Sequence, residues 1–314
     1  MSAQTQNTKP GPRMLSAVTK GKIAKPIRAL LYGVEGVGKS TFGANAPSPI
    51  VLGTESGTAE LDVARFADPD SWADVMAAVD ELRTEAHDYK TLVIDTLDWL
   101  EPLCWARVCE RPDEKGKRRE SIEDFGYGKG YTAALDEWRL LLARLEQLRA
   151  ARGMNVIMLA HSWIKPFKNP EGDDFDRYEL KLHAKAGGLL KEWCDAVLFA
   201  HYETLTDKDR NKRVRGISTG ARLIHTTRTA AWDAKNRYDL PDTMPLDWSA
   251  FADAVVAHRP ADPAAIRDSI AEMLTDANAE LAAKVRAAVN KDPENAAYLA
   301  RIQNKLQATI GEAA

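Results

Sequence analysis

Gly33-Val-Glu-Gly-Val-Gly38-Lys39-Ser40-Thr41 is the stretch that decides the fold. It fits G-x-x-x-x-G-K-[S/T] at every fixed position, follows the apolar run Ile27–Tyr32, and opens a short helical segment ended near Pro47. Strand, glycine-rich turn and helix in that order are the context a phosphate-binding loop requires. Its glycines let the backbone N–H groups of Gly33, Val34, Glu35, Gly36, Val37 and Gly38 curl around a β-phosphate. Lys39 reaches the β and γ oxygens, Ser40 offers its hydroxyl to Mg2+, and Thr41 follows in the first helical turn. The expected ligand is therefore ATP with Mg2+.

Such a loop needs a carboxylate for the metal, and Thr91-Leu-Val-Ile-Asp95 supplies an apolar strand ending in Asp95. A strand at Pro49–Gly53 and a helix at Ser71–Thr84 intervene. Just past that strand, Glu55 stands at a carboxyl end, where open α/β sheets bind ligands. Its position suits a base that orients and deprotonates water, and equally a solvated loop carboxylate. His161 closes Asn155-Val-Ile-Met-Leu-Ala-His161. A histidine there can hydrogen-bond a γ-phosphate and sense its loss, or serve structure alone.

Outward from these motifs, strand-like runs at Asn155–Ala160 and Asp195–His201 alternate with helical segments at Leu97–Cys109 and Gly130–Arg152. The pattern predicts an α/β fold, a mostly parallel central sheet with helices on both faces. Short polar strands after Asp207 suggest an antiparallel extension. Pro260 and Pro263 punctuate the chain before Ala-rich amphipathic helices at Ala264–Asp276, Glu280–Val289 and Glu294–Ile310. The expected domains are a flexible basic arm (1–26), an ATPase core (27–258) and a small helical module (259–314). Length agrees: 314 residues suggest two domains at about 150 residues each.

Composition excludes several classes. With 45% apolar and 28% charged residues, the chain is neither collagenous nor wholly disordered. A net charge of −3 means that any nucleic-acid surface must come from local basic clusters. Three cysteines, an odd number, argue against a disulfide framework, and Cys104 and Cys109 lack the partners of a zinc site. No apolar run approaches the roughly 18 residues of a membrane span, and the first 25 residues carry no signal-peptide core. The expected location is the cytoplasm. Trp99, Trp105, Trp138 and Trp193 fall on apolar helical faces and are expected to be packing residues.

Four segments together resemble the RecA-like P-loop ATPases, most closely the phage-encoded single-strand annealing and recombination type. GVEGVGKST resembles the Walker A loop, TLVIDT the Walker B strand, VLGTESGTAEL the strand ending in the catalytic Glu, and NVIMLAHSW the strand leading to the second DNA loop. The resemblance implies that Glu55 is the catalytic base, that His161 is the γ-phosphate sensor, and that Lys39 contributes to catalysis. Ala186-Gly187-Gly188-Leu189-Leu190-Lys191 resembles the Gly-Gly helix start after that loop, and Lys235-Asn236-Arg237 the family's Lys-Asn-Lys element. By resemblance, Lys235 and Arg237 reach the ATP of a neighbouring subunit. The implied activity is DNA-stimulated ATP hydrolysis by a homo-oligomer, filament or ring, acting with single-stranded DNA and with a single-strand binding protein as a candidate partner.

Two insertions carry the mixture that sequence-independent strand binding needs, basic residues beside aromatics. Arg111–Tyr131 holds Phe125, Tyr127 and Lys129; Trp163–Leu182 holds Lys165 and Lys168. These correspond in position to RecA's two mobile DNA loops. Acidic neighbours dilute both, so a solvated loop is the competing assignment. Lys208–Arg215 is a third basic cluster, expected to be a hairpin tip. The alternatives to a recombination ATPase are a ring-forming RecA-like motor, helicase or loader, and a nucleotide-gated protein adaptor with little turnover.

Overall fold

The computed structural model describes residues 23–311 apart from 56, 58–59, 113–115, 209–213, 259–262, 276–278 and 295. Most of the expected basic arm and the centre of the Lys208–Arg215 turn lie outside the described residues. The chain divides into two units, one spanning Lys25–His258 and one containing the helices after Arg259.

The first unit is built on a sheet. Its strands are β1 (Arg28–Gly33), β2 (Pro49–Gly53), β3 (Ala64–Arg65), β4 (Thr91–Asp95), β5 (Asn155–Phe167), β6 (Phe175–Leu180), β7 (Ala196–Lys208), β8 (Val214–His225), β9 (Lys235–Asn236) and β10 (Thr243–Pro245). The order is β10-β8-β7-β1-β5-β4-β2-β3. Pairs from β7 to β3 are parallel, whereas β8 and β10 add on antiparallel. β5 therefore lies between β1 and β4, pairing Gly33 with His161 and Asp95 with Leu159.

Among the described residues six α-helices of this unit flank the sheet, and alternation along the strands divides the core in two. Leu30, Tyr32, Ile94 and Met158 face α2 (Trp72–Thr84), α3 (Leu97–Cys109), α4 (Lys129–Arg152) and α5 (Ala184–Trp193). Ala29, Leu31, Val93 and Leu159 face α1 (Lys39–Ala44) and α6 (Trp248–His258). Both faces are covered, so β1 and β4 read as unbroken apolar runs. Ser71 caps α2 by accepting from Asp74 N, and Val75, Val79 and Leu82 recur on its buried face. Gly153, at φ 67, ends α4 in the left-handed conformation that favours glycine. All three cysteines are buried.

Three expectations change. Trp163–Leu182 is not an open loop: β5 continues through Phe167 and pairs antiparallel with β6 as a hairpin. Trp163, Lys165 and Phe167 alternate with Ser162, Ile164 and Pro166, the period of a strand, and Asn169 and Asp174 bond the turn between them. β7 likewise runs past His201 to Lys208, so the antiparallel extension begins within that strand. Trp99 is 56% exposed rather than packed, because α3 turns Leu97, Leu100 and Cys104 to the sheet.

In the second unit, α7 (Pro263–Met273), α8 (Ala279–Val289) and α9 (Ala296–Gly311) bury Ile266, Ile270, Ala282, Leu299 and Leu306 among themselves. Among the described residues, no helix is long and apolar enough to cross a membrane.

Gly33 is where β1 and β7 approach most tightly: a Cβ there would stand 2.0 Å from Ala200 O. The backbone must move to relieve that contact, so Gly33→Ala should cost about 2 kcal/mol, a drop in melting temperature of roughly 4–8 °C. A thermal melt checks it, and an unchanged midpoint would contradict the contact.

Candidate functional site

Parallel strands end on one edge, and the register places the sequence motifs along it. Gly33 opens the loop after β1, His161 stands beside it on β5, Asp95 ends β4, and Glu55 follows β2, whose Gly53 pairs with Asp95. Gly36, Gly38, Lys39, Ser40, Glu55 and Asp95 line one cleft of about 330 Å³ with His161 and Thr41. Gly36 and Gly38 take φ of 71° and 108°, a conformation that side chains with a Cβ resist. Val37 is buried, Val34 half-buried, and Glu35 exposed.

Lys39 is 5% exposed, and its Nζ donates to Gly33 O at 3.3 Å and Val34 O at 2.9 Å. Burial lowers the ammonium from its ordinary value, against the pull of Asp95, Asp98, Glu55 and Glu35. Among the described residues no carboxylate forms an ion pair with it. Among the described residues its direct hydrogen-bond partners are backbone carbonyls, which fits an anionic ligand. Burial also raises the Asp95 carboxyl, the Ser40 hydroxyl opposes that, and the Glu55 charge adds to it. Carboxylate and hydroxyl oxygens are the hard donors magnesium prefers. The donor set thus fits Mg2+ with a polyphosphate, held by Ser40 and Asp95 on the metal side and by Lys39 and the loop on the phosphate side.

Two carboxylates that sequence reading missed organise the edge of this cleft. Asp98 accepts from His161 N and pairs with His161 Nδ1, each at 2.9 Å. Burial pushes the Asp98 carboxyl up, but the His161 ring and backbone hydrogen bonds outweigh it and hold the group below its ordinary value. Glu101, one turn further along α3, accepts from His183 N at 3.0 and 3.2 Å. Residues three apart share a helix face, so the first turns of α3 grip both ends of the β5–β6 hairpin. Lys181 N closes the hairpin base on His161 O at 2.9 Å. Acidic residues spaced by three in the otherwise apolar Leu97-Asp-Trp-Leu-Glu101 were the available signal.

The basic residues gather in part. Trp163, Lys165, Phe167 and Lys168 of the hairpin face Gly187, Gly188 and Lys191 of α5 across a groove of about 290 Å³. Lys165 Nζ lies 3.5 Å from the Trp163 ring centroid, and Lys168, 89% exposed, pairs with Asp174. α5 opens at Ala184 behind the cap His183, so Gly187-Gly188 sit in its interior rather than at its start. Tyr131 stacks on His183 at 4.0 Å, joining the end of the first insertion to the end of the second. Tyr127 is fully exposed and Lys129 exposed, but Phe125 is half-buried under the Arg119 guanidinium at 4.0 Å and packs on the core. Phe125 is thus less open to a base than Tyr127.

Lys235 and Arg237 have partners inside their own subunit. Lys235 Nζ donates to Lys191 O, Glu192 O and Cys194 O at 3.0, 2.8 and 2.6 Å, satisfying the carbonyl end of α5. Arg237 pairs with Asp195 at 3.1 Å. Within its own chain Lys235 thus caps the carbonyl end of α5, and Arg237 remains half exposed.

Glu101 is 4% exposed, and burial, opposed by the His183 N–H and reinforced by Asp98, pushes its carboxyl up to about 7. The raised value means that its contribution to stability is whole below the ordinary value and is lost as pH rises through 7. Glu101→Gln keeps the acceptor without the charge. Its stability relative to the parent should therefore improve from pH 5 to pH 8 by up to roughly 3 kcal/mol in urea denaturation, at about 1.4 kcal/mol per tenfold change. A pH-independent difference would contradict this.

A solved structure of the RadB recombinase is similar at 12% identity with a TM-score of 0.35, covering 64% of this chain and 80% of that one. No curated protein sequence matches. A family model described as an AAA domain matches residues 25–238, from the strand before the loop to beyond Lys235 and Arg237. With more than half of its length matched, and with the phosphate loop and Asp95 lining one cleft, the chain belongs to the AAA domain family of P-loop NTPases.

Proposed function

We propose that the protein is an ATP-dependent single-stranded DNA binding ATPase of the RecA-like type, acting in phage-type homologous recombination or single-strand annealing. The observation that carries this is the double grip of α3: Asp98 on His161 and Glu101 on His183 tie the cleft to both ends of the lysine-bearing hairpin. Bound ATP with Mg2+ supplies the γ-phosphoryl group and the free energy of its hydrolysis. Lys39 and the loop amides orient the phosphates, and Ser40 and Asp95 hold the metal. Glu55 positions water and takes its proton. His161, with Nδ1 engaged by Asp98, keeps Nε2 for a γ-phosphate oxygen, and loss of that oxygen is felt at the hairpin.

Lys165 and Lys168 meet the DNA phosphates, with Trp163 beside them for a base to stack on, and Tyr127 and Lys129 extend the surface. ATP orders the hairpin and α5 and raises DNA affinity; hydrolysis relaxes them. Assembly of several copies, filament or ring, would align these surfaces along one strand.

Steady-state ATP hydrolysis with and without oligo-dT tests the proposal. DNA should raise turnover severalfold, Lys39→Ala should abolish it, and Glu55→Gln should bind ATP without turning it over. Lys165→Ala with Lys168→Ala should weaken oligo-dT binding about tenfold, since each removes a phosphate contact. No stimulation together with no ATP-dependent DNA binding would overturn the proposal and favour the protein adaptor.

A further inference from the structure

Beyond the motif residues, the β7–β8 hairpin brings two side chains onto the phosphate loop. Tyr202 and Arg222 stand directly opposite one another on these antiparallel strands, and a register shift follows immediately between Tyr202 and Thr204. Bulges of this kind re-aim side chains next to functional sites. Tyr202 packs against the core layer that contains Ala200, Val37 and Phe42, the same layer from which the loop emerges. Its hydroxyl donates to Gly36 O at 2.8 Å. In a planar trans peptide the carbonyl and the next N–H point in opposite directions, so anchoring Gly36 O on the hairpin turns Val37 N–H away from it.

Arg222 also reaches the phosphate motif, at Gly38. Its Nη1 stands 3.0 Å from the position a Cβ on Gly38 would take, with Leu246 Cδ2 at 3.7 Å. Its guanidinium lies 5.8 Å from the Tyr202 ring centroid, and its backbone carbonyl accepts from Leu246 N at 2.9 Å. The side chain is exposed, and among the described residues no carboxylate pairs with it. A guanidinium is always charged and offers a fork of donors matched to phosphate oxygens. Lys235, expected to reach a neighbouring subunit's ATP, is engaged on α5 within its own chain.

We propose that Arg222 is a nucleotide ligand within its own subunit, its guanidinium taking a phosphate oxygen of the bound nucleoside triphosphate, and that Tyr202 is a positioning residue that sets the loop through Gly36. The assignment rests on the cleft being a nucleotide site, and the test separates the two. Titration of the full chain with a fluorescent ATP and a fluorescent ADP measures affinity directly. Arg222→Ala should weaken ATP about ten- to a hundredfold, the worth of a hydrogen bond to a charged group. Arg222→Lys, which keeps the charge without the fork, should recover part of the loss, and Arg222→Gln should not. Tyr202→Phe should weaken ATP and ADP by a similar factor, because the loop holds phosphates common to both.

Melting of each variant without nucleotide controls for folding, and the Lys-against-Gln contrast remains decisive if Arg222→Ala is destabilised. Equal affinity for Arg222→Lys, Arg222→Gln and the parent, with binding lost in Lys39→Ala, would overturn the Arg222 assignment and leave the nucleotide site standing. Unchanged affinities in Tyr202→Phe would remove its positioning role. Retained ATP affinity in Lys39→Ala would overturn the nucleotide site and Arg222 with it.

Discussion

The placement of β5 between β1 and β4 governs the rest of the molecule. With β5 in that slot, the parallel register sets Gly33 beside His161 and Leu159 beside Asp95. The phosphate loop, the Asp95 carboxylate and a histidine from three distant parts of the chain then share one sheet edge. The slot is fixed by packing on both faces: Val156 and Met158 enter the layer under α2 to α5, while Ile157 and Leu159 enter the layer under α1 and α6. A shift of one residue along β5 would exchange those faces, so the hydrophobic cost of misregister protects the geometry of the cleft.

The same strand leaves the sheet to become half of the hairpin, which makes His161 the joint between two regions. Asp98 holds that joint, and Glu101 holds the other end of the hairpin at His183. Both carboxylates are buried or nearly so, where hydrogen bonds are strong and unpaired charge is costly. The arrangement supplies a short physical path from the cleft to the Trp163 and Lys165 groove. On the opposite flank, Tyr202 reaches the loop from β7, so the loop is bounded by its own β1–α1 elements and by the antiparallel extension.

Local signals in the chain were legible and distant ones were not. The glycine spacing before Lys39 and the apolar run into Asp95 announce themselves because motif and strand are adjacent in sequence. The alternating fold class follows from periodicity, and the sheet found here has that form. Asp98 and Glu101 escaped because their partners lie 63 and 82 residues away. Lys235 marks another limit, because a basic residue near a loop looks the same in sequence whether it meets a nucleotide or a helix end. The hairpin was readable in principle, since Trp163–Phe167 alternates like a strand, yet its Lys and Pro content suggests a loop. Phe125 shows the converse: an aromatic among glycines packs on the core once Ser121 and Asp124 cap the turn that carries it.

The central claim is that occupancy of the cleft is transmitted through α3 to the hairpin and α5. Amide hydrogen exchange across residues 180–190, compared with a non-hydrolysable ATP analogue and with ADP, tests it most directly. The account predicts slower exchange at Lys181 and His183 with the ATP analogue, and loss of that difference in Asp98→Asn. Identical exchange in the two nucleotide states, with both nucleotides bound, would contradict it.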